Sequence, residues 1–178
     1  MLTIFTATAL IISIALLILT LVQEIKDLFP GHVYFDMDGT IADLYTEDIN
    51  LDEVFTREER IFQNLKPLVN PIKLNAEIAK LTHKGYTVGV ITWLPAGASA
   101  EYRETCKADK LEWTKKHFPE LANNFHALPF GTPKARAIKT LKVATLVDDN
   151  PEVLRNFKAI NRKTLHAKQI HKIANLAR

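Results

Sequence analysis

Three times in this chain a short run of apolar and β-branched residues stops abruptly on polar side chains. His32 to Phe35 runs into Asp36 and Asp38, Tyr86 to Ile91 into Thr92, and Ala144 to Val147 into Asp148 and Asp149. Such runs lack polar alternation, which suits strands covered on both faces, the condition of a parallel sheet. Phe125 to Leu128 is a fourth strand candidate. The intervening stretches carry helical spacing, so strand and helix alternate. The predicted fold is therefore α/β, a doubly wound parallel sheet whose ligands bind in the crevice beyond the strand C-termini.

The helical segments have recognisable ends. Leu51 to Leu68 is polar and helical in pattern, with Val54, Phe55, Ile61, Phe62 and Leu65 as its apolar positions, until Pro67 and Pro71 interrupt it. Ile72 to His83 is an amphipathic helix stopped by Lys84 and Gly85. Tyr102, Cys106 and Trp113 recur at helical spacing within a helix from about Ala98 to His117. Pro133 to Lys139 reads as a short helix, and Pro151 opens another toward Phe157.

Leu2 to Val22 contains no charged side chain. As a helix it would be about 30 Å long, the thickness of a bilayer core, so one transmembrane anchor is expected ahead of the α/β domain. Residues 1–30 are then anchor and linker, and residues 31–178 the domain. No basic start or small-residue cleavage site argues for a removable signal peptide. The N-terminal side of the span has no Lys or Arg, which puts the domain on the cytoplasmic side. A mis-assigned start would instead leave a soluble cytoplasmic protein, and a helix packed on a partner is a third reading. The formal charge of +3 is too mild for a dedicated nucleic-acid binder. It is unevenly spread, because seven basic and no acidic residues follow from Arg155 to the C-terminus. Cys106 is the single cysteine and cannot form an internal disulfide.

Asp36 and Asp38 repel one another at the end of one strand, and a divalent cation would relieve that. A set of ligands made only of oxygen is what Mg²⁺ prefers. Asp148 and Asp149 supply further carboxylates, Lys134 a fixed positive charge and Thr92 a hydroxyl. A doubly wound sheet would bring all of these to one crevice, with phosphate oxygens held by Lys134, Thr92 and backbone amides. Taken singly, each has a plain structural reading: a turn at Asp38-Gly39, a capping loop at Asp148 to Pro151, an exposed Lys134.

Asp36-Met37-Asp38-Gly39-Thr40, Thr92, Lys134 and Asp148-Asp149, in that order over Val33 to Pro151, resemble the four motifs of the haloacid dehalogenase superfamily. Within it the chain is similar to the 5'(3')-deoxyribonucleotidases and related small phage and bacterial phosphatases. The resemblance implies a Mg²⁺-dependent phosphomonoesterase acting on (deoxy)nucleoside monophosphates. Asp36 would be the nucleophile that becomes an aspartyl phosphate, and Asp38 the acid and base. It further implies Thr92 and Lys134 as phosphate ligands and a metal held by Asp36, the Asp38 main chain and Asp149, with Asp148 as alternate. Residues from about 41 to 70 resemble the family's small helical cap. There Phe55 and Phe62 are candidates to stack a base or to pack the cap, and Trp93 is a third aromatic candidate beside the crevice. Tyr102 and Lys110 also resemble nucleotidase positions, but helical spacing accounts for Tyr102 and a solvated face for Lys110.

Two rivals use the same residues. A polynucleotide 3'-phosphatase would employ the basic C-terminal stretch as a nucleic-acid footprint. A membrane-tethered adaptor would keep the fold without the chemistry, although the intact Asp36 and Asp38 argue against it.

Overall fold

The computed structural model describes residues 11–21, 31–45, 60–138, 144–160 and 162–177. The chain divides into two compact units, Met1–Pro30 and Gly31–Arg178. In the first, residues 11–21 are helical, with Ile11, Leu17 and Leu19 exposed. Among the described residues no helix is long and apolar enough to cross a membrane. The rest of the expected Leu2 to Val22 span lies outside them.

The second unit is built on five parallel strands: β1 (His32–Phe35), β2 (Thr87–Trp93), β3 (Phe125–Leu128), β4 (Ala144–Asp148) and β5 (Lys163–His166). Their order across the sheet is β3-β2-β1-β4-β5. The chain winds outward from β1 through β2 to β3, then crosses back to lay β4 against the other side of β1. The reversal between β1 and β4 opens the crevice that such sheets use for ligands. The helices are α1 (Ile61–Asn64), α2 (Pro71–His83), α3 (Ala100–His117), α4 (Pro119–Ala122) and α5 (Pro151–Lys158).

Period-two alternation sorts the strand side chains onto two covered faces. Val33, Phe35, Val88 and Val90 join the larger core with Ile78 and Leu81 of α2 and Trp113 of α3. Tyr34, Ile91 and Leu146 join the smaller one with Ile138 and with Val153 and Phe157 of α5. Helix starts are set locally. Asn70 caps α2 through Lys73 N at 3.1 Å, Ser99 caps α3 through Tyr102 N at 3.1 Å, and Asn150 caps α5 through Glu152 N at 2.9 Å. Proline occupies the first turn of both α2 and α5, where its missing N–H costs nothing.

Several expected boundaries move. β2 continues past Ile91 because Thr92 and Trp93 pair in register with Ala127 and Leu128 of β3. β4 likewise includes Asp148, which pairs with His166. Lys134–Ile138 forms a tight 3₁₀ segment where an α-helix was expected. Of the helix expected over Leu51 to Leu68, residues 60–68 are described and only the single turn α1 is helical, the chain leaving the helix at Leu65; Phe55 lies outside the described residues.

The basic C-terminal stretch is partly built into the fold, with Arg155, Lys158, Lys163, Lys168 and Lys172 left exposed. It contributes β5, and Leu165 and Ile173 are buried in the larger core. The Arg162 guanidinium donates to Ile138 O at 2.9 Å and lies over the Phe157 ring.

Gly89, in the middle of β2, marks a close backbone approach. A Cβ there would strike the Asn124 carbonyl and lie 2.8 Å from the Tyr34 ring. Asn124 cannot retreat, because its carbonyl accepts from Val90 N at 3.0 Å and its amide donates to Val88 O at 2.9 Å. Gly89→Ala is expected to cost about 1–3 kcal/mol, as overpacking does. Urea denaturation would read this as a lower midpoint at unchanged slope.

Candidate active site

Asp36 follows β1, and its backbone N–H donates to Val147 O of β4 at 2.8 Å, so the two strand ends are held level. The chain then turns sharply around one acceptor. Met37 O takes the N–H groups of Thr40, Ile41 and Ala42 at 3.2, 3.0 and 2.9 Å. Gly39 permits the turn with a φ of 74°. It must also be small, since a Cβ would lie 2.5 Å from the Tyr45 ring and 2.8 Å from an Asp149 oxygen.

Two ion-paired clusters face each other across this turn. In the first, Lys134 Nζ sits between Asp36 Oδ1 at 2.6 Å and Asp148 Oδ2 at 2.7 Å, with all three side chains buried. The other Asp148 oxygen accepts from Asn150 N at 2.9 Å, which leaves Asp148 fully committed. Asp149 is half-buried and lightly held, by the Thr40 hydroxyl at 3.3 Å. Asp36, Asp148 and Asp149 each bring a carboxylate oxygen within 4.8 Å of the others.

The second cluster is centred on Lys110, which sequence reasoning assigned to a solvated face. It is completely buried. Its ammonium donates to Asp38 Oδ2 in a short contact, to Thr92 Oγ1 at 3.0 Å and to Trp93 O at 2.8 Å, using all three protons. The Phe62 ring lies 4.5 Å from the same Nζ. The signal was available: Lys110 stands four residues after Cys106 and three before Trp113, on the very face whose periodicity identified the helix. The Thr92 hydroxyl has only long contacts to offer as donor, 3.5 Å to Asp38 Oδ2 and to Trp93 O. Asp38 Oδ1 is buried with no hydrogen-bond partner among the described residues.

Phe62 is held in place from α3. Arg60 donates to the buried Asp109 through Nη2 at 2.6 Å and Nε at 3.0 Å, Gln63 donates to Glu112 at 2.6 Å, and Trp113 Nε1 donates to Leu65 O at 2.6 Å. Phe62 is 2% exposed and covers an ammonium, so it is packed and does not offer a free stacking face. Trp93 is anchored as well, by Nε1 on Thr132 O at 2.8 Å, with Phe130 at 5.3 Å and Lys134 over its ring. Its edge remains in the crevice, a cavity of about 280 Å³ reached by Asp36, Asp38, Lys110, Lys134, Asp148 and Asp149.

The electrostatics follow from this crowding. Four carboxylates face two ammonium groups, an excess of two negative charges. Burial raises the Asp36 carboxyl to about 7; Lys134 opposes that, while Asp148 and Asp38 add to it. Asp149 is raised by burial and then by Asp148. Burial alone would lower the Lys134 ammonium, but Asp36 and Asp148 overcome it and hold it above its usual range. Tyr45, at the rim, is pushed well up by burial and by the carboxylates, Asp38 first. The donor set is entirely oxygen, and its charge excess matches one divalent cation, so the residues present fit Mg²⁺.

Of the residues singled out from sequence, Asp36, Asp38, Thr92, Trp93, Lys134, Asp148 and Asp149 are brought together, and Phe62 borders the same crevice while packed over Lys110. Lys110 and Tyr45 were not anticipated as site residues. No known family model matches the chain, nor does any curated protein.

An acid whose folded pKa lies above its unfolded value binds its proton more tightly when folded. Its contribution is complete below the unfolded pKa and is lost as pH rises through the folded one. For Asp36 that window runs from about 4 to about 7. In EDTA, stability should therefore fall by on the order of 3 kcal/mol between pH 4.5 and 7.5. Asp36→Asn should flatten the profile and Mg²⁺ should restore stability at the upper end. A metal-free profile that rises over this range would contradict the electrostatic picture.

Proposed function

We propose that this chain is a Mg²⁺-dependent phosphomonoesterase of the haloacid dehalogenase type, with the small-capped Rossmann-like fold of that superfamily and (deoxy)nucleoside monophosphates as its substrates. The observation that carries the reading is the pair of facing clusters, Asp36-Lys134-Asp148 and Asp38-Lys110-Thr92, opening on one crevice with Asp149 beside them. A phosphate dianion needs fixed positive charge and hydroxyl donors, while the reaction needs one carboxylate to attack and another to carry a proton. These groups stand in two sets, so the two carboxylates can differ in role.

Asp36 attacks phosphorus through a carboxylate oxygen, the ester P–O bond breaks, and an aspartyl phosphate forms. Asp38 gives a proton to the departing alkoxide. It then takes one from the water that attacks the aspartyl phosphate, releasing inorganic phosphate and regenerating Asp36. Lys110 occupies only Oδ2 of Asp38, and the unpartnered Oδ1 is the atom assigned to proton transfer. Thr92 and Lys134 bind phosphate oxygens. Lys134 also orients Asp36, from its place between Asp36 and Asp148. An Asp36 oxygen, the Asp38 main-chain carbonyl and Asp149, with Asp148 as alternate, would hold Mg²⁺, which would supply charge compensation for the phosphoryl group. Preference for nucleotides rests on the sequence resemblance. The membrane anchor belongs to the same proposal, supported by the exposed apolar side chains of residues 11–21.

A panel of phosphomonoesters assayed with Mg²⁺ and with EDTA tests the reading. Phosphate release should require the metal, and Asp36→Asn should lower kcat by about 10³-fold or more, the scale of removing a nucleophile. Turnover by the Asn variant at the parent rate would remove Asp36 from the reaction. A parent that releases phosphate from no ester would favour the adaptor reading.

A further inference from the structure

A second cavity of about 340 Å³ adjoins the first and shares Trp93, Phe130, Lys134 and Asn150 with it. The Trp93–Phe130 pair is thus the partition between a compartment holding the carboxylates and one running along α5. Phe130 is the exposed member of that pair, at 58%. Glu152 and Asn156, on the first two turns of α5, line the far side. Both are exposed, and among the described residues neither side chain has a hydrogen-bond or ion-pair partner. Phe130 therefore offers exposed aromatic surface on this side, as Tyr45 does at the rim of the first cavity. Phe62, on the cap side, is closed over Lys110.

We propose that this second cavity is the leaving-group subsite, and that it takes an uncharged aromatic ring carrying N–H groups on its edge. The inference rests on the phosphomonoesterase reading and adds where the rest of the substrate goes. With phosphate at Lys134 and Thr92, the ester would extend past the edge of Trp93, and a flat ring gains most by stacking on the open face of Phe130. The Glu152 carboxylate only accepts hydrogen bonds, so it selects ring edges that donate, and the Asn156 amide pairs with either kind of neighbour. Glu152 also extends the negative field of the four site carboxylates. Leaving groups with a second phosphate or a carboxylate are disfavoured there, because like charges at close range repel.

The test uses the full chain with Mg²⁺ and compares kcat/KM for cytidine 5'-monophosphate, ribose 5-phosphate and 2-phosphoglycolate in parent, Phe130→Ala, Phe130→Tyr and Glu152→Ala. The parent should favour the nucleotide over ribose 5-phosphate by at least about tenfold, on the usual scale of stacking one base. Phe130→Ala should erase most of that ratio and Phe130→Tyr should keep it. Glu152→Ala should shift the ratio of nucleotide to 2-phosphoglycolate toward the anionic ester by severalfold. A parent indifferent to the base, or variants that lower all three esters by one common factor, would overturn the subsite while leaving the phosphomonoesterase intact. A parent that hydrolyses none of the three, nor any other ester in the wider panel, would end both proposals.

Discussion

The site depends on one ammonium group shared by two carboxylates from adjacent strands. Lys134 stands between Asp36, which follows β1, and Asp148, which ends β4. Burying three charged side chains is expensive unless each finds a partner, and one cation cannot fully satisfy two anions. The remainder falls on Asp36, which is held up near 7, and on Asp149. The fold therefore keeps an unresolved negative charge where parallel strands end, and a divalent cation is the simplest species that resolves it.

The second ammonium does different work. Lys110 comes from the interior face of α3 and spends its three protons on Asp38, Thr92 and the Trp93 carbonyl. That couples the placement of the proposed proton carrier to the seating of a whole helix. The same helix grips the Arg60–Leu65 segment through Asp109, Glu112 and Trp113. Phe62 then closes over Lys110, so that segment and Asp38 are fastened to one element. A shift of α3 would be felt at both.

On the opposite side of the sheet, α5 forms a separate support. Asn150 links Asp148 to the α5 cap, and Arg162 ties the 3₁₀ segment after Lys134 to the Phe157 side of α5. Of the basic side chains in this stretch, Arg162 is held against this edge, while Arg155, Lys158, Lys163, Lys168 and Lys172 are exposed.

Much was decided by local chemistry and was legible before folding. Apolar runs with abrupt polar ends located β1 and most of β2 and β4, and Phe125 to Leu128 matched β3; Pro151 marked the start of α5; and the order of Asp36, Asp38, Thr92, Lys134, Asp148 and Asp149 announced a crevice rich in oxygen ligands. Those signals survive in one dimension because they rest on near-neighbour sterics and hydrogen bonds. Three things needed the tertiary structure. β5 buries only Leu165 and so has no periodicity to read. Lys110 shares the helical face of Cys106 and Trp113, but only the folded structure shows that its ammonium meets Asp38, Thr92 and the Trp93 carbonyl. Phe62 offered two readings until the clasp between Arg60 and Asp109 held it over an ammonium. Each turns on which face meets which neighbour, and that is settled by contacts between residues far apart in the chain.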